Sequence, residues 1–205
     1  MNMLDQTIKK GRKFDQVLTG ARAVFLADGF EGASVDEIAK VAGVSKATLY
    51  SYFPDKRVLF SEVAKAECRR QADTAIAQID MAGRPETVLF AAGSHLIRFF
   101  LSDFGQRVFR ICVAETERFP ELGRQFYESG PAVVEAALVG YFDLAMARGE
   151  LKIQDQPLAA HQFSELCKAE LFPKLVFGVQ TSFSGAEVDR VIGGAVDMFM
   201  ARYGA

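Results

Sequence analysis

Tryptophan is absent from this chain, and histidine occurs only at His95 and His161. So small a stock of imidazole leaves little material for a zinc centre or a histidine base, the usual vehicles of metal binding and proton transfer. Cysteine is almost as scarce: Cys68, Cys112 and Cys167 are odd in number and far apart. That excludes a disulfide framework and the close spacing of a zinc site, and it suits a reducing cytoplasm. No apolar run approaches the ~20 residues needed to cross a bilayer. The opening MNMLDQTIKK lacks the apolar core of a signal peptide. The expectation is therefore a cytoplasmic protein with no membrane partner. HExxH, GxSxG, Walker A and dinucleotide-binding fingerprints are all missing. Neither a catalytic centre nor a metal or cofactor is expected. The alternative from the enzyme class is a helical protein whose His95, Cys112 and Cys167 meet in the core to bind a metal or act on a small molecule. No closely spaced ligand pair supports it.

Half of the 205 residues are hydrophobic, enough for a sizeable core. The net charge of −2 is unevenly spread. Residues 1–70 carry 12 Lys and Arg against 9 Asp and Glu, whereas 71–205 carry 12 against 17. A basic front and an acidic remainder fit a nucleic-acid-binding head on a different kind of body.

The organising stretch is 34–56, SVDEIAKVAGVSKATLYSYFPDK. Ser34 has the chemistry of an N-cap, and Glu37 stands at the capping-box spacing. Val35, Ile38, Ala39 and Ala42 form one apolar face of a two-turn helix. Gly43 supplies a left-handed turn. Ser45 is a second N-cap, opening a helix whose inward residues are Leu49 and Phe53. Two short helices about a glycine turn make a helix-turn-helix, whose second helix enters the major groove of DNA. Its outward residues, Lys46, Ala47, Thr48, Tyr50, Ser51 and Tyr52, include no carboxylate, which would face phosphates. Before it, Phe14, Val17, Leu18, Ala21, Val24 and Phe25 form a helical stripe over 12–28, ended by Gly29. Lys9, Lys10, Arg12 and Lys13 are a basic cluster suited to a DNA contact or simply to a solvated helix start.

The remainder reads as helices throughout, about nine in the whole chain, with no convincing strand. Pro54 ends the recognition helix, and a long helix runs from there to about residue 80. Others span 84–102, a stripe from Phe104 to Glu115, 131–149, 157–178 and 184–203. Pro173 should kink or divide the 157–178 helix. Residues 150–156 are a loop. Phenylalanine is abundant, at 18 residues, and most of it is core. Polar side chains stranded on apolar stripes are His95, Glu115 and Glu170. Each has an ordinary explanation as well as one as pocket lining: Glu170 can pair with Lys174, Glu115 with Arg118 or Arg98, and His95 with a carbonyl.

The run EGASVDEIAKVAGVSKATLYSYFPDKRVLF resembles the DNA-binding segment of the TetR/AcrR family of bacterial regulators. Phe25, Gly29, Phe30, Thr48, Leu49, Tyr50, Phe53 and Lys56 stand at that family's spacing. The later run RVFRICVAETERFPELGRQFYESGP resembles the AefR-like C-terminal subgroup. The resemblance implies an all-α, homodimeric, ligand-responsive repressor, with a three-helix DNA-binding domain over 1–55 and a ligand-binding and dimerisation domain over 56–205. It assigns Ser45, Lys46, Ala47, Thr48 and Ser51 to base edges and Ser34, Tyr50, Tyr52 and Lys56 to phosphate of a palindromic operator. It places the dimer interface on 157–178 and 184–203. The residues expected to line a site for a small apolar or amphipathic effector are His95, Phe99, Cys112, Glu115, Phe126, Phe142, Phe163, Cys167 and Glu170.

Overall fold

The computed structural model describes residues 11–117 and 119–205. Lys9, Lys10 and Arg118, named above, lie outside the described residues. Among the described residues there are eleven helices and no strand. They are α1 (Arg12–Gly32), α2 (Val35–Ala42), α3 (Lys46–Tyr52), α4 (Lys56–Ala77), α5 (Pro85–Leu101), α6 (Asp103–Glu115), α7 (Pro120–Ser129), α8 (Pro131–Ala147), α9 (Gln156–Lys168), α10 (Leu171–Val176) and α11 (Gly185–Tyr203). The all-α expectation stands, with two helices more than the nine anticipated. One is α7, where Pro120 does not merely break a helix but opens the next, as its fixed φ allows. The other is α10. The expected 157–178 helix divides upstream of Pro173, at Ala169 and Glu170, the latter with φ 65°. A proline ring collides with the carbonyl four residues earlier, and here that carbonyl belongs to Ala169.

The helices sort into two compact units. One reaches to Glu67 and includes Cys112–Phe126; the other holds Cys68–Ile111 and Tyr127–Ala205. In the first, the α1 stripe is buried as its period requires, with Phe14, Val17, Ala21, Val24 and Phe25 at most 5% exposed. Phe14 meets Tyr52 edge-on at 5.9 Å and Phe53 at 5.2 Å, so α1 carries the recognition helix on an aromatic seat. The α1–α2 crossing depends on Gly20: a Cβ there would lie 2.7 Å from Ala42 backbone atoms. The buried carboxylate of Glu67 is paired with Arg22 at 2.7 Å, as a charge 2% exposed must be.

The second unit is built on α5, α8, α9 and α11. Phe142, Phe163 and Phe199 sit at its centre, with ring centroids 5.3 Å and 5.5 Å apart about Phe199. Each buried ring contributes roughly 1.5–3 kcal/mol of apolar transfer. Phe142, expected from the sequence to line an effector site, is fully buried. Helix α11 opens with a complete capping box between Ser184 and Glu187. The 150–156 loop is anchored: Leu151 and Ile153 are buried, and Leu151 bridges to Gly204. Within Pro120–Ala147 an 18-residue window reaches a mean hydropathy of 1.3. It is interrupted at Gly130, where φ is −122° and ψ −83°, and α8 buries Leu138, Tyr141, Phe142 and Ala145 in the core.

Candidate nucleic-acid interface

The site is set by two caps and one turn. Ser34 Oγ accepts from the Glu37 N–H at 3.1 Å, and Ser45 Oγ accepts from the Thr48 N–H at 3.1 Å. Between them Gly43 adopts φ 65°, ψ 34°, and the Val44 N–H closes on the Ala39 carbonyl at 3.0 Å. A side chain at Gly43 would be strained in that left-handed conformation. The capping-box spacing at α2 is half used, since the Glu37 carboxylate lies near Lys40, at 3.7 Å, and not on the Ser34 N–H. Leu49 and Phe53 are buried at 1% and 0%, which fixes the rotation of α3 about its axis.

That rotation puts Ser45, Lys46, Ala47, Tyr50 and Ser51 on the exposed side, with Ser34 exposed on the cap of α2. Thr48, Tyr52 and Lys56 are half-buried. Several polar groups of the face are already held. The Ser45 and Thr48 hydroxyls bond to each other at 2.9 Å, and Ser51 Oγ donates to the Thr48 carbonyl at 2.6 Å. The Thr48 hydroxyl is therefore engaged within the helix start. Lys46 is ion-paired with Asp36 of α2. The Lys56 ammonium donates to the Phe30 carbonyl at 2.8 Å and the Ala33 carbonyl at 3.1 Å, and stands 4.5 Å from the Phe30 ring centre. Two of its three N–H groups thus tie down the end of α1. Sequence reasoning missed Asp36 and this internal use of Lys56. The clue to Asp36 was its position on the outward side of α2, across the turn from Lys46.

The residues expected to face an effector are divided between the two units. Cys112, Glu115 and Phe126 belong to the first; His95, Phe99, Phe142, Phe163, Cys167 and Glu170 belong to the second. Glu115 Oε2 takes no hydrogen bond and lies 3.5 Å from Arg57 Nε of α4, a partner not among those anticipated. Arg57 also approaches Asp55 at 3.6 Å and the Phe119 ring at 5.2 Å. Phe142, Phe163 and Cys167 are core residues, each at most 1% exposed. Phe99 is half-buried, 5.5 Å from Phe100 and 6.4 Å from Phe104. His95 is half-buried, its pKa lowered by burial and by the Arg98 charge. Glu170 is exposed; hydrogen bonds from Lys174 at 2.8 Å and Arg190 at 2.5 Å hold its pKa down at about 2.

The enzyme alternative gains no support. Cys112 lies in one unit, and His95 and Cys167 in the other. Burial pushes both thiols up to about 12, as expected of apolar core cysteines. Among the described residues no three His, Cys, Asp or Glu side chains converge as a metal site.

Comparison with known proteins agrees with the helix-turn-helix geometry. Residues 17–63 match the tetR family of bacterial regulatory proteins. Residues 87–205, more than half of the chain, match the C-terminal domain of AefR-like transcriptional repressors. The transcriptional repressor AcnR of Corynebacterium efficiens is 36% identical over 59 residues, which span 29% of this chain and 31% of AcnR. The chain therefore matches only about a third of that relative's length. Two solved structures match throughout. A TetR-family transcriptional regulator from Mesorhizobium loti superposes with a TM-score of 0.78 at 27% identity, over 95% of this chain and 98% of its own. The flavonoid-responsive regulator FrrA does so with a TM-score of 0.71 at 33% identity, over 95% and 98%. The chain belongs to the tetR family of bacterial transcriptional regulators, a DNA-binding class and not a class of enzymes, and carries that family's AefR-like C-terminal domain.

Proposed function

We propose that this regulator is a cytoplasmic repressor that binds a palindromic operator as a homodimer and is released by a small, largely apolar effector. The observation that carries the DNA-reading half is the outer face of α3. Small groups, hydroxyls and one cation stand there on a helix fixed by Leu49 and Phe53, with no carboxylate on the helix itself. We assign Ser45, Lys46, Ala47, Thr48 and Ser51 to base edges. The methyls of Ala47 and Thr48 suit a thymine methyl. Ser34, Tyr50, Tyr52 and the remaining N–H of Lys56 are assigned to phosphate, which positions without specifying.

The dimer reading rests on α11. Gly193 and Gly194 lie mid-helix, where each costs roughly 1 kcal/mol against alanine. Among the described residues, the adjoining backbone of α11 aside, no atom lies within 4 Å of a Cβ built at either position. No other described element uses the room they leave, and a second copy packed through α9–α11 would. One seven-residue recognition helix reads few base pairs, so two related by a two-fold axis are needed, on half-sites about 34–36 Å apart or a multiple of that.

The 1–55 segment is then the reader, and 56–205 holds the effector and the partner. We place the effector in the second unit, beside His95, Phe99, Phe142, Phe163 and Cys167, and read Glu115 and Glu170 as ion-pair partners. FrrA is named for its response to flavonoids. A planar aromatic molecule of that class suits so phenylalanine-rich a lining, and is the effector class proposed here. The test is selection of duplexes from a random DNA pool by the wild type, followed by band shifts and sedimentation of Gly193→Leu. The expected result is a palindromic consensus bound by dimers, and a monomeric variant that loses it. Full-affinity binding of one half-site by a monomeric wild type would refute the reading.

A further inference from the structure

We infer that Asp36 is a positioning residue for sequence discrimination: from α2 it holds the Lys46 ammonium of the recognition helix off the DNA backbone, so that Lys46 reads a base edge. The inference rests on α3 being the recognition helix.

Lys46 is the only cation on α3, and it occupies the first position of that helix. An ammonium on a flexible stem is a point charge without a preferred plane. Beside DNA its nearest anions are phosphates, which are the same in every sequence. A free lysine at this point would therefore add affinity for all DNA and no selectivity. In this chain it is not free, because its ammonium is paired with the Asp36 carboxylate.

The pair is set by the fold and not by proximity in sequence. Asp36 is in the first turn of α2, where the helix dipole favours an acid. Ser34 fixes the start of α2, the left-handed Gly43 fixes the turn, and Ser45 fixes the start of α3. Both side chains remain more than half exposed, 54% for Lys46 and 71% for Asp36. An exposed ion pair adds little to folding stability. An acid beside a DNA-reading face also repels phosphate. Such an arrangement costs general affinity, and what it yields is direction: the lysine is kept at the groove side of α3 and away from the strand. The neighbouring acid, Glu37, is turned toward Lys40 and takes no part.

The experiment uses the full-length protein and two probes: a duplex selected from a random pool by the wild type, and a random-sequence duplex of equal length. Binding of both is measured by fluorescence anisotropy over a range of salt, for Asp36→Asn, Asp36→Glu, Lys46→Ala and the Asp36→Asn/Lys46→Ala pair. Asp36→Asn should tighten binding to the random duplex, steepen its salt slope by about one unit, and lower the selected-to-random ratio roughly three- to tenfold. Asp36→Glu should keep most of the ratio. On the Lys46→Ala background, Asp36→Asn should change the ratio no further. An unchanged ratio in Asp36→Asn overturns the inference. So does equal weakening on both probes with a lower melting temperature, which would mark a structural role. An effect that persists in full without Lys46 also overturns it, since Asp36 would then act by bare repulsion. A wild type that selects no sequence would overturn the recognition-helix reading itself, and is told apart because it appears before any variant is made.

Discussion

In the first unit the side chains assigned to DNA are exposed or half-buried, and in the second most of those assigned to the effector are inside. Leu49 of α3 and Phe53 at its C-cap are buried and orient the helix, and the outward residues are left to touch DNA. In the second unit Phe142, Phe163 and Cys167 must fill the core whatever else they do. The difference separates two kinds of site. A surface reader can divide labour between faces of one helix, so packing and recognition are independent. A site lined from a core draws both from the same atoms, and a substitution there changes stability first.

The sharpest way to break that contrast is Phe142→Ala. Phe142 is fully buried and stacked on Phe199 at 5.3 Å. Its truncation should cost about 3–5 kcal/mol by the transfer and cavity terms together. At this chain length each kcal/mol is roughly 2–4 °C in melting temperature. Calorimetry should show the loss with or without effector. A variant that melts like the wild type but no longer responds to a flavonoid would show that Phe142 faces an open site and not a packed core.

The same contrast explains what was legible in the sequence. The 34–56 stretch could be read almost whole, because caps, a left-handed glycine and a 3.6-residue stripe are local signals. On α11 the 3.6-residue recurrence of Val188, Ile192, Ala195 and Phe199 is local in the same way, and all four are buried. The partners of polar side chains were not. Glu170 was rightly matched to Lys174, four residues on, but its second partner Arg190 is 20 residues away. Glu115 pairs with Arg57, and Lys56 with carbonyls 23 and 26 residues earlier. Such contacts depend on how helices cross, which periodicity does not encode. The division at Ala169 was half legible, since Pro173 announces a break and its steric reach sets the place.

Lys56→Ala sharpens the comparison within the first unit, because this residue mixes both kinds of work. As a phosphate contact it should weaken all DNA sequences alike and shallow the salt slope by about one unit. As the tie to the Phe30 and Ala33 carbonyls it should also lower stability, by about 1.5–3 kcal/mol, the range for hydrogen bonds to a charged group. Tyr50→Phe is the control. Tyr50 is 48% exposed, so the variant should lose DNA affinity without any change in melting. Unaltered melting in Lys56→Ala would place all of its work on DNA. An unaltered salt slope with lowered melting would place all of it in the fold.

The smallest expected effect belongs to Glu115→Gln, and it tests whether a residue of the first unit has any share in the effector response. The Glu115 carboxylate is partly exposed, 29%, and faces Arg57, itself 31% exposed, at 3.5 Å without a hydrogen bond to Oε2. A pair of two partly exposed side chains at this distance, with no hydrogen bond, is worth about 1 kcal/mol or less. The amide keeps the shape and removes the charge, and Arg57 retains Asp55 and the face of Phe119. The melting temperature should therefore fall by about 2–4 °C at most. If Glu115 serves only Arg57, the ratio of operator affinity without and with a flavonoid should stay as in the wild type. A carboxylate that also met the effector would favour a ligand bearing a cation or a hydrogen-bond donor, and its loss would change that ratio while leaving ligand-free operator binding intact. Because Arg57 supplies a charge partner within the same compact unit, the expected result is the small drop in melting with the ratio unchanged. Calorimetry and anisotropy on this one variant decide it, since the two roles move different observables.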